Sequence, residues 1–158
     1  MLIDSHCHLN YLDDPEQAIL RAIEAGVTGC LCISVDEPGF ASVMDLATNH
    51  ADVWASAGVH PDAAGGNLDW IEGALVQSAV VAVGETGLDY LHNAEPAVQA
   101  RQQQAFDLQL GLGVKHQLPV IVHTRAAEDD TLALLRGHPG SRGVLHCFTE
   151  SWSMAKQA

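Results

Sequence analysis

The 158 residues include 20 acidic and 7 basic side chains, a formal net charge of −13, with 47% hydrophobic and 17% charged residues. That balance argues against a protein that grips a polynucleotide backbone with clustered lysines and arginines. No apolar run reaches the 18 or more residues of a membrane span, and a chain of this length can bury roughly 68–70% of its unfolded surface, enough for one domain expected over residues 1–158.

Met1 to His6 has no basic segment leading into an apolar one, so a cytoplasmic address is expected. The first apolar run, Leu2 to His8, predicts a strand ending in His6-Cys7-His8. Residues i and i+2 of a strand point to one side, about 6.6 Å apart. His6 and His8 therefore face one way and Cys7 the other. Asp13 and Asp14, ahead of Pro15, open a helix near 15–25 that Gly26 closes. Val27 to Val35 predicts the second strand, and Glu37-Pro38 opens a helix near 38–50. The third strand, Val53 to Val59, ends at His60 and leads to a helix near 68–78. The fourth, Val80 to Gly84, ends at Glu85. In the helix near 97–117, Phe106, Leu110, Val114 and Leu118 recur every fourth residue as one buried face. Leu118 to His123 is the fifth strand. A helix near 126–137 follows, whose N-terminus Asp129 and Asp130 favour electrostatically. Gly143 to Cys147, carrying His146, is the sixth strand, and Ser151 to Ala158 begins a sixth helix.

Continuous apolar strands alternating with helices indicate a parallel sheet covered on its outer face. A doubly wound sheet is the alternative, but no G-x-G-x-x-G turn follows the first strand. An eight-stranded barrel takes about 250 residues. Six strand–helix units fill this chain, so the expected fold is an α/β, (β/α)8 TIM barrel truncated after about six units. Cys7, Cys30, Cys32 and Cys147 form no C-x-x-C pair, and three lie in apolar runs. They are read as reduced, buried small hydrophobes.

Five of the six apolar runs end in a histidine or carboxylate: His6 and His8, His60, Glu85, His123, and His146. In a parallel barrel these ends share one rim, where barrel enzymes place their sites. Burying several imidazoles and a carboxylate together costs several kcal/mol unless something pairs them, and a divalent metal is the simplest partner. Mixed imidazole and carboxylate donors suit Zn²⁺, Mn²⁺, Fe²⁺ or Co²⁺ better than an all-oxygen Mg²⁺ site. Glu85 is placed to bridge two ions about 3.5–4 Å apart. No G-x-S-x-G elbow competes. His50, His92, His116 and His138 fall on helices or loops and are expected to be solvated.

Asp4-Ser5-His6-Cys7-His8-Leu9, Gly58-Val59-His60-Pro61, Gly84-Glu85-Thr86-Gly87-Leu88-Asp89-Tyr90, Gln102 to Phe106, Pro119 to Arg125 and Leu145-His146-Cys147-Phe148-Thr149 follow in order. Together they resemble the TatD family of metal-dependent hydrolases, among the amidohydrolase-like barrels. The resemblance implies two divalent ions (Mg²⁺, Mn²⁺ or Zn²⁺): His6 and His8 on one, Glu85 shared, His123 and His146 on the other. It places His60 near the substrate phosphate, and Asp89 and Arg125 as substrate or supporting contacts, with Glu85, His60 and Arg125 serving catalysis. It implies 3′-5′ exonucleolytic hydrolysis of DNA ends; no membrane and no obligate protein partner are expected. The family also carries a metal-binding aspartate in a later Glu-Thr-Asp-Ser-Pro-like segment, which nothing in these 158 residues matches. Two other readings are a related barrel hydrolase of amides or esters, and a catalytically silent metal-binding fragment. The fourth strand supplies Glu85 rather than a lysine, which favours the phosphodiesterase.

Overall fold

The computed structural model describes residues 1–158. Six strands alternate with six helices: β1 (Leu2–Cys7), α1 (Pro15–Glu24), β2 (Val27–Cys32), α2 (Glu37–Asn49), β3 (Val53–Ala57), α3 (Trp70–Ala74), β4 (Val80–Asp89), α4 (Pro96–His116), β5 (Val120–Arg125), α5 (Glu128–Gly137), β6 (Gly143–His146) and α6 (Trp152–Gln157). Short 3-10 turns at Leu9–Tyr11 and Pro61–Ala63 follow β1 and β3. Every pairing is parallel and the strand order equals the chain order, so each connection crosses to the adjacent strand. The sheet curls. His6 at the end of β1 and His146 at the end of β6 are on opposite edge strands, yet their rings stack at 3.4 Å. This is the TIM-barrel architecture over six strand–helix units.

Local chemistry sets the helix starts. Asp14 and Asp36 accept hydrogen bonds from the amides of Gln17 (2.9 Å) and Gly39 (2.7 Å), and a proline sits in the first turn of each helix. Each such cap is worth about 1 kcal/mol. Asp13 makes no cap; Asp14 alone does that work at α1. Between the sheet and the helices lies the main core, which includes Val43, Ile71, Val83, Leu88, Phe106 and Leu110. A smaller cluster of Ile33, Ala82 and Ile121, with Leu31 against it, separates from that core. Full burial of one such side chain contributes roughly 1.5–3 kcal/mol.

Three expectations needed correction. β4 does not stop at Gly84 but runs to Asp89, because Gly87, at φ +136°, pairs in register with His123 where any Cβ would strike the His123 carbonyl. The third helix spans only Trp70–Ala74 rather than 68–78. In α4 the buried stripe is Gln102, Ala105, Phe106, Gln109, Leu110 and Gly113, while Val114 is exposed. At 3.6 residues per turn, every fourth residue drifts about 40° per step, so a strict fourfold spacing walks off the buried face.

Candidate metal centre

The C-terminal halves of the strands meet at one rim, and Glu85, midway along β4 rather than at its end, is at the centre of what they form. Its side chain is 5% exposed. One carboxylate oxygen, Oε2, lies 3.3 Å from Nε2 of His6, and the other, Oε1, lies 3.3 Å from Nδ1 of His123. Two donor sets result, each with all ligand atoms within 4.8 Å: His6, His8 and Glu85, and His60, Glu85 and His123. Glu85 belongs to both. Burial opposes its ionisation, but the closeness of His123 and His6 and the charge of His60 outweigh burial and hold the carboxyl well below the usual carboxylate range.

The histidines are not equivalent. Nδ1 of His8 faces the Ile33 carbonyl at 3.3 Å. A carbonyl only accepts, so Nδ1 carries the proton and Nε2 offers its lone pair. His60 is arranged the other way: its Nδ1 accepts the Asp62 amide at 3.3 Å, which leaves Nε2–H as a donor. Burial pushes the His60 ring below its ordinary value, against the pull of Glu85. The His123 ring is held above its ordinary value, chiefly by Glu85 and against burial. His146 joins neither donor set; its ring lies flat on His6, and burial and His6 together lower it.

Whether a cation suits these residues can be tested on their own hydrogen bonding. Nε2 of His6 and Nε2 of His123 are both buried, and each faces a carboxylate at 3.3–3.4 Å without completing a well-formed hydrogen bond. Leaving such groups unpaired costs about 1–3 kcal/mol each. Two imidazole nitrogens left without a complete hydrogen bond beside a buried anionic carboxylate form a nitrogen-and-oxygen donor set that a divalent ion satisfies. The residues fit the metal.

Supporting contacts come from residues on β4, β5 and α4. Asp89, 3% exposed, places Oδ2 at 3.4 Å from Nε2 of His123. It is the kind of carboxylate that orients a ligand imidazole. Arg125 pairs in register with Asp89 on the neighbouring strand but forms no ion pair, and its Nε is buried without a partner. Two contributors were given no role at the sequence level, although Gln102 falls in one of the motifs that carry the family resemblance. Gln109 accepts the Val59 amide (2.9 Å) and donates to Thr86 Oγ1 (2.6 Å), while Gln102 accepts the Asp89 amide (3.0 Å). Both are fully buried and tie α4 to the strand ends carrying His60 and Glu85. Their signal was available: two polar residues seven apart, flanking Phe106 on one helical face.

The four histidines expected to be solvated are each paired with a carboxylate: His50 with Glu16, His92 with Asp89, His116 with Glu72 and His138 with Asp107. Only His92 keeps a largely exposed side chain, at 67%. Above the centre opens a cleft of about 370 Å³, lined by His8, Tyr11, Val35, Asp36, His60, Asp62, Ala63 and Glu85. No lysine or arginine lines it. No helix is long and apolar enough to cross a membrane. All four cysteines are free thiols; Cys30 and Cys32 are buried and Cys7 partly so, but Cys147 is exposed, against the expectation of burial.

Residues 3–158 match the family model described as TatD related DNase. A relative described as the uncharacterized metal-dependent hydrolase YcfH of Escherichia coli strain K12 is 40% identical over 159 residues, covering 94% of this chain and 59% of the relative. The 3′-5′ ssDNA/RNA exonuclease TatD of Klebsiella pneumoniae is 35% identical over 152 residues, covering 91% and 56%. The crystal structure of YJJV, a TatD homolog from Escherichia coli K12, superposes with a TM-score of 0.88 at 34% identity, covering 99% of this chain and 63% of that one. The chain therefore spans about six-tenths of the length of these relatives. It belongs to the TatD-related DNase family.

Proposed function

We propose that this member of the TatD-related DNase family is a metal-dependent phosphodiesterase that trims the 3′ ends of single-stranded polynucleotides. The observation that carries the proposal is the position of Glu85, whose two oxygens each face a different donor set. Relatives named 3′-5′ ssDNA/RNA exonucleases support the choice of substrate.

His6, His8 and Glu85 would hold one divalent ion, and Glu85 with His123 a second. When bound, such ions supply Lewis acidity and neutralise charge on a phosphoryl oxygen. His60, whose charged form burial disfavours and whose Nε2 carries a proton, donates a hydrogen bond to a phosphate oxygen rather than serving as a ligand. Asp89 holds the His123 ring in place. His146 packs against His6 and supports its orientation. The absence of a basic residue in the cleft and the net charge of −13 favour a short contact at a terminal nucleotide over a grip on a long backbone. Four free cysteines suit a reducing compartment, the cytoplasm.

The deciding measurement is nucleotide release from short single-stranded DNA with Mg²⁺ or Mn²⁺, with a chelator blank and Glu85→Ala as controls. Release lost in both controls supports the proposal. Folded, metal-binding protein that releases nothing overturns it for this chain.

A further inference from the structure

We infer that His92, anchored by Asp89, gives the proton that the departing oxygen takes up when the phosphodiester bond breaks. The inference rests on the phosphodiesterase reading above and adds to it a residue outside the metal centre.

His92 lies in the loop after β4, three residues beyond Asp89, at the rim that carries Glu85 and His123. Asp89 holds it twice: Oδ1 accepts the His92 amide at 3.0 Å, and Oδ2 lies 2.7 Å from Nδ1 of the ring. An ionised carboxylate only accepts, so Nδ1 carries a proton. The same Oδ2 is 3.4 Å from Nε2 of His123. One buried oxygen thus links an exposed imidazole to an imidazole of the metal centre. The His92 side chain is 67% exposed, and its Nε2 has no partner within the chain.

The surrounding loop is tied down on both sides. Asn93 Nδ2 donates to Asp62 Oδ1 at 3.1 Å, and the Asp62 amide in turn bonds the His60 ring. Gln99 of α4 donates to the Asn93 carbonyl at 3.1 Å. A turn needs only the backbone bond to Oδ1. The second bond, from a ring nitrogen to a buried carboxylate, fixes the orientation of the imidazole and leaves Nε2 free, as an acid–base histidine requires.

The step balances without an added reagent. A water oxygen bonds to phosphorus as the bond from phosphorus to the departing nucleoside oxygen breaks. That oxygen takes the proton from Nε2 of His92, the attacking water releases one to solvent, and solvent reprotonates the ring.

The test compares wild type with His92→Gln on two substrates, oligothymidylate and the p-nitrophenyl ester of thymidine 5′-monophosphate, whose leaving group needs no proton. Loss of a general acid slows oligothymidylate hydrolysis by about 10²–10⁴-fold, and the p-nitrophenyl ester is expected to suffer at least tenfold less. Equal losses on both substrates would make His92 a structural residue and overturn this inference alone. A wild type that hydrolyses neither ester would overturn the phosphodiesterase reading and this inference with it. A second readout is independent of turnover: with Zn²⁺ present, thymidine 5′-monophosphate is expected to shift the His92 Nε2 resonance. A shift at His60 with none at His92 would also overturn it.

Discussion

The ring of His6 lies flat on the ring of His146, centroids 3.4 Å apart and planes 5° from parallel, although the two residues come from opposite edges of the sheet. Strand twist and tilt accumulated over six strands bring those edges together at the rim. The contact gives His146 a packing role toward His6, which belongs to a donor set. Replacing the two residues should therefore have unequal effects. His6→Phe removes a member of a candidate donor set, whereas His146→Phe keeps a flat ring against His6 and should cost no more than the about 10–100-fold typical of a supporting contact. Calorimetric titration with Mn²⁺ checks the order; a larger loss for His146→Phe would make it a ligand.

Metal should also stabilise the fold through Glu85. A ligand that binds only the folded chain adds about 2.7 kcal/mol at a hundred times its Kd. Thermal melts with and without Mn²⁺ should show a clear rise in Tm for the wild type. In Glu85→Gln that rise should largely vanish, because both donor sets lose their common carboxylate. An undiminished rise would place the metal elsewhere.

Tyr90 should make stability fall at high pH. Burial pushes its hydroxyl up to about 12; the hydrogen bond from Gln103 opposes this, and the neighbouring Asp130 carboxylate, 2.7 Å away, adds to it. The unfolded chain releases this proton near pH 10, while the folded chain keeps it until about pH 12. Between those values the unfolded state binds fewer protons, so stability declines as pH rises. Absorbance at 295 nm should show the late ionisation, and Asp130→Asn should bring it earlier. A midpoint unchanged in that variant would rule out the Asp130 contribution.

Gly58 should tolerate no side chain. A Cβ there would overlap the backbone of Gly84, one residue before Glu85, and no flexible atom is available to move aside. Overpacking of this kind costs about 1–3 kcal/mol. Gly58→Ala should therefore lower the urea midpoint and weaken Mn²⁺ binding together. A loss of stability with intact affinity would show that the strain does not reach Glu85.

Much of this was legible in the sequence because it is local. The pair His6 and His8 follows from the two-residue period of a strand. The rim position of His60, Glu85, His123 and His146 follows from each standing at or just beyond the end of an apolar run. Asp14-Pro15 and Glu37-Pro38 mark helix starts, which the structure completes with capping bonds to Asp14 and Asp36. The continuation of β4 through Gly87 was not legible, since glycine ordinarily weakens a strand. It is required here by the close approach of the His123 backbone, which only the paired strand reveals.

By itself, then, the sequence determined the order of strands and helices, the family, and the set of side chains delivered to one rim, all through contacts between near neighbours in the chain. Only the tertiary structure decided which of those side chains meet. It set His60 and His123 about Glu85, laid His146 on His6, gave Asp89 to both His92 and His123, and buried Gln102 and Gln109 beneath the rim. Those relationships depend on register and curvature summed across the whole sheet, and side chains far apart in the chain encode neither until the strands have paired.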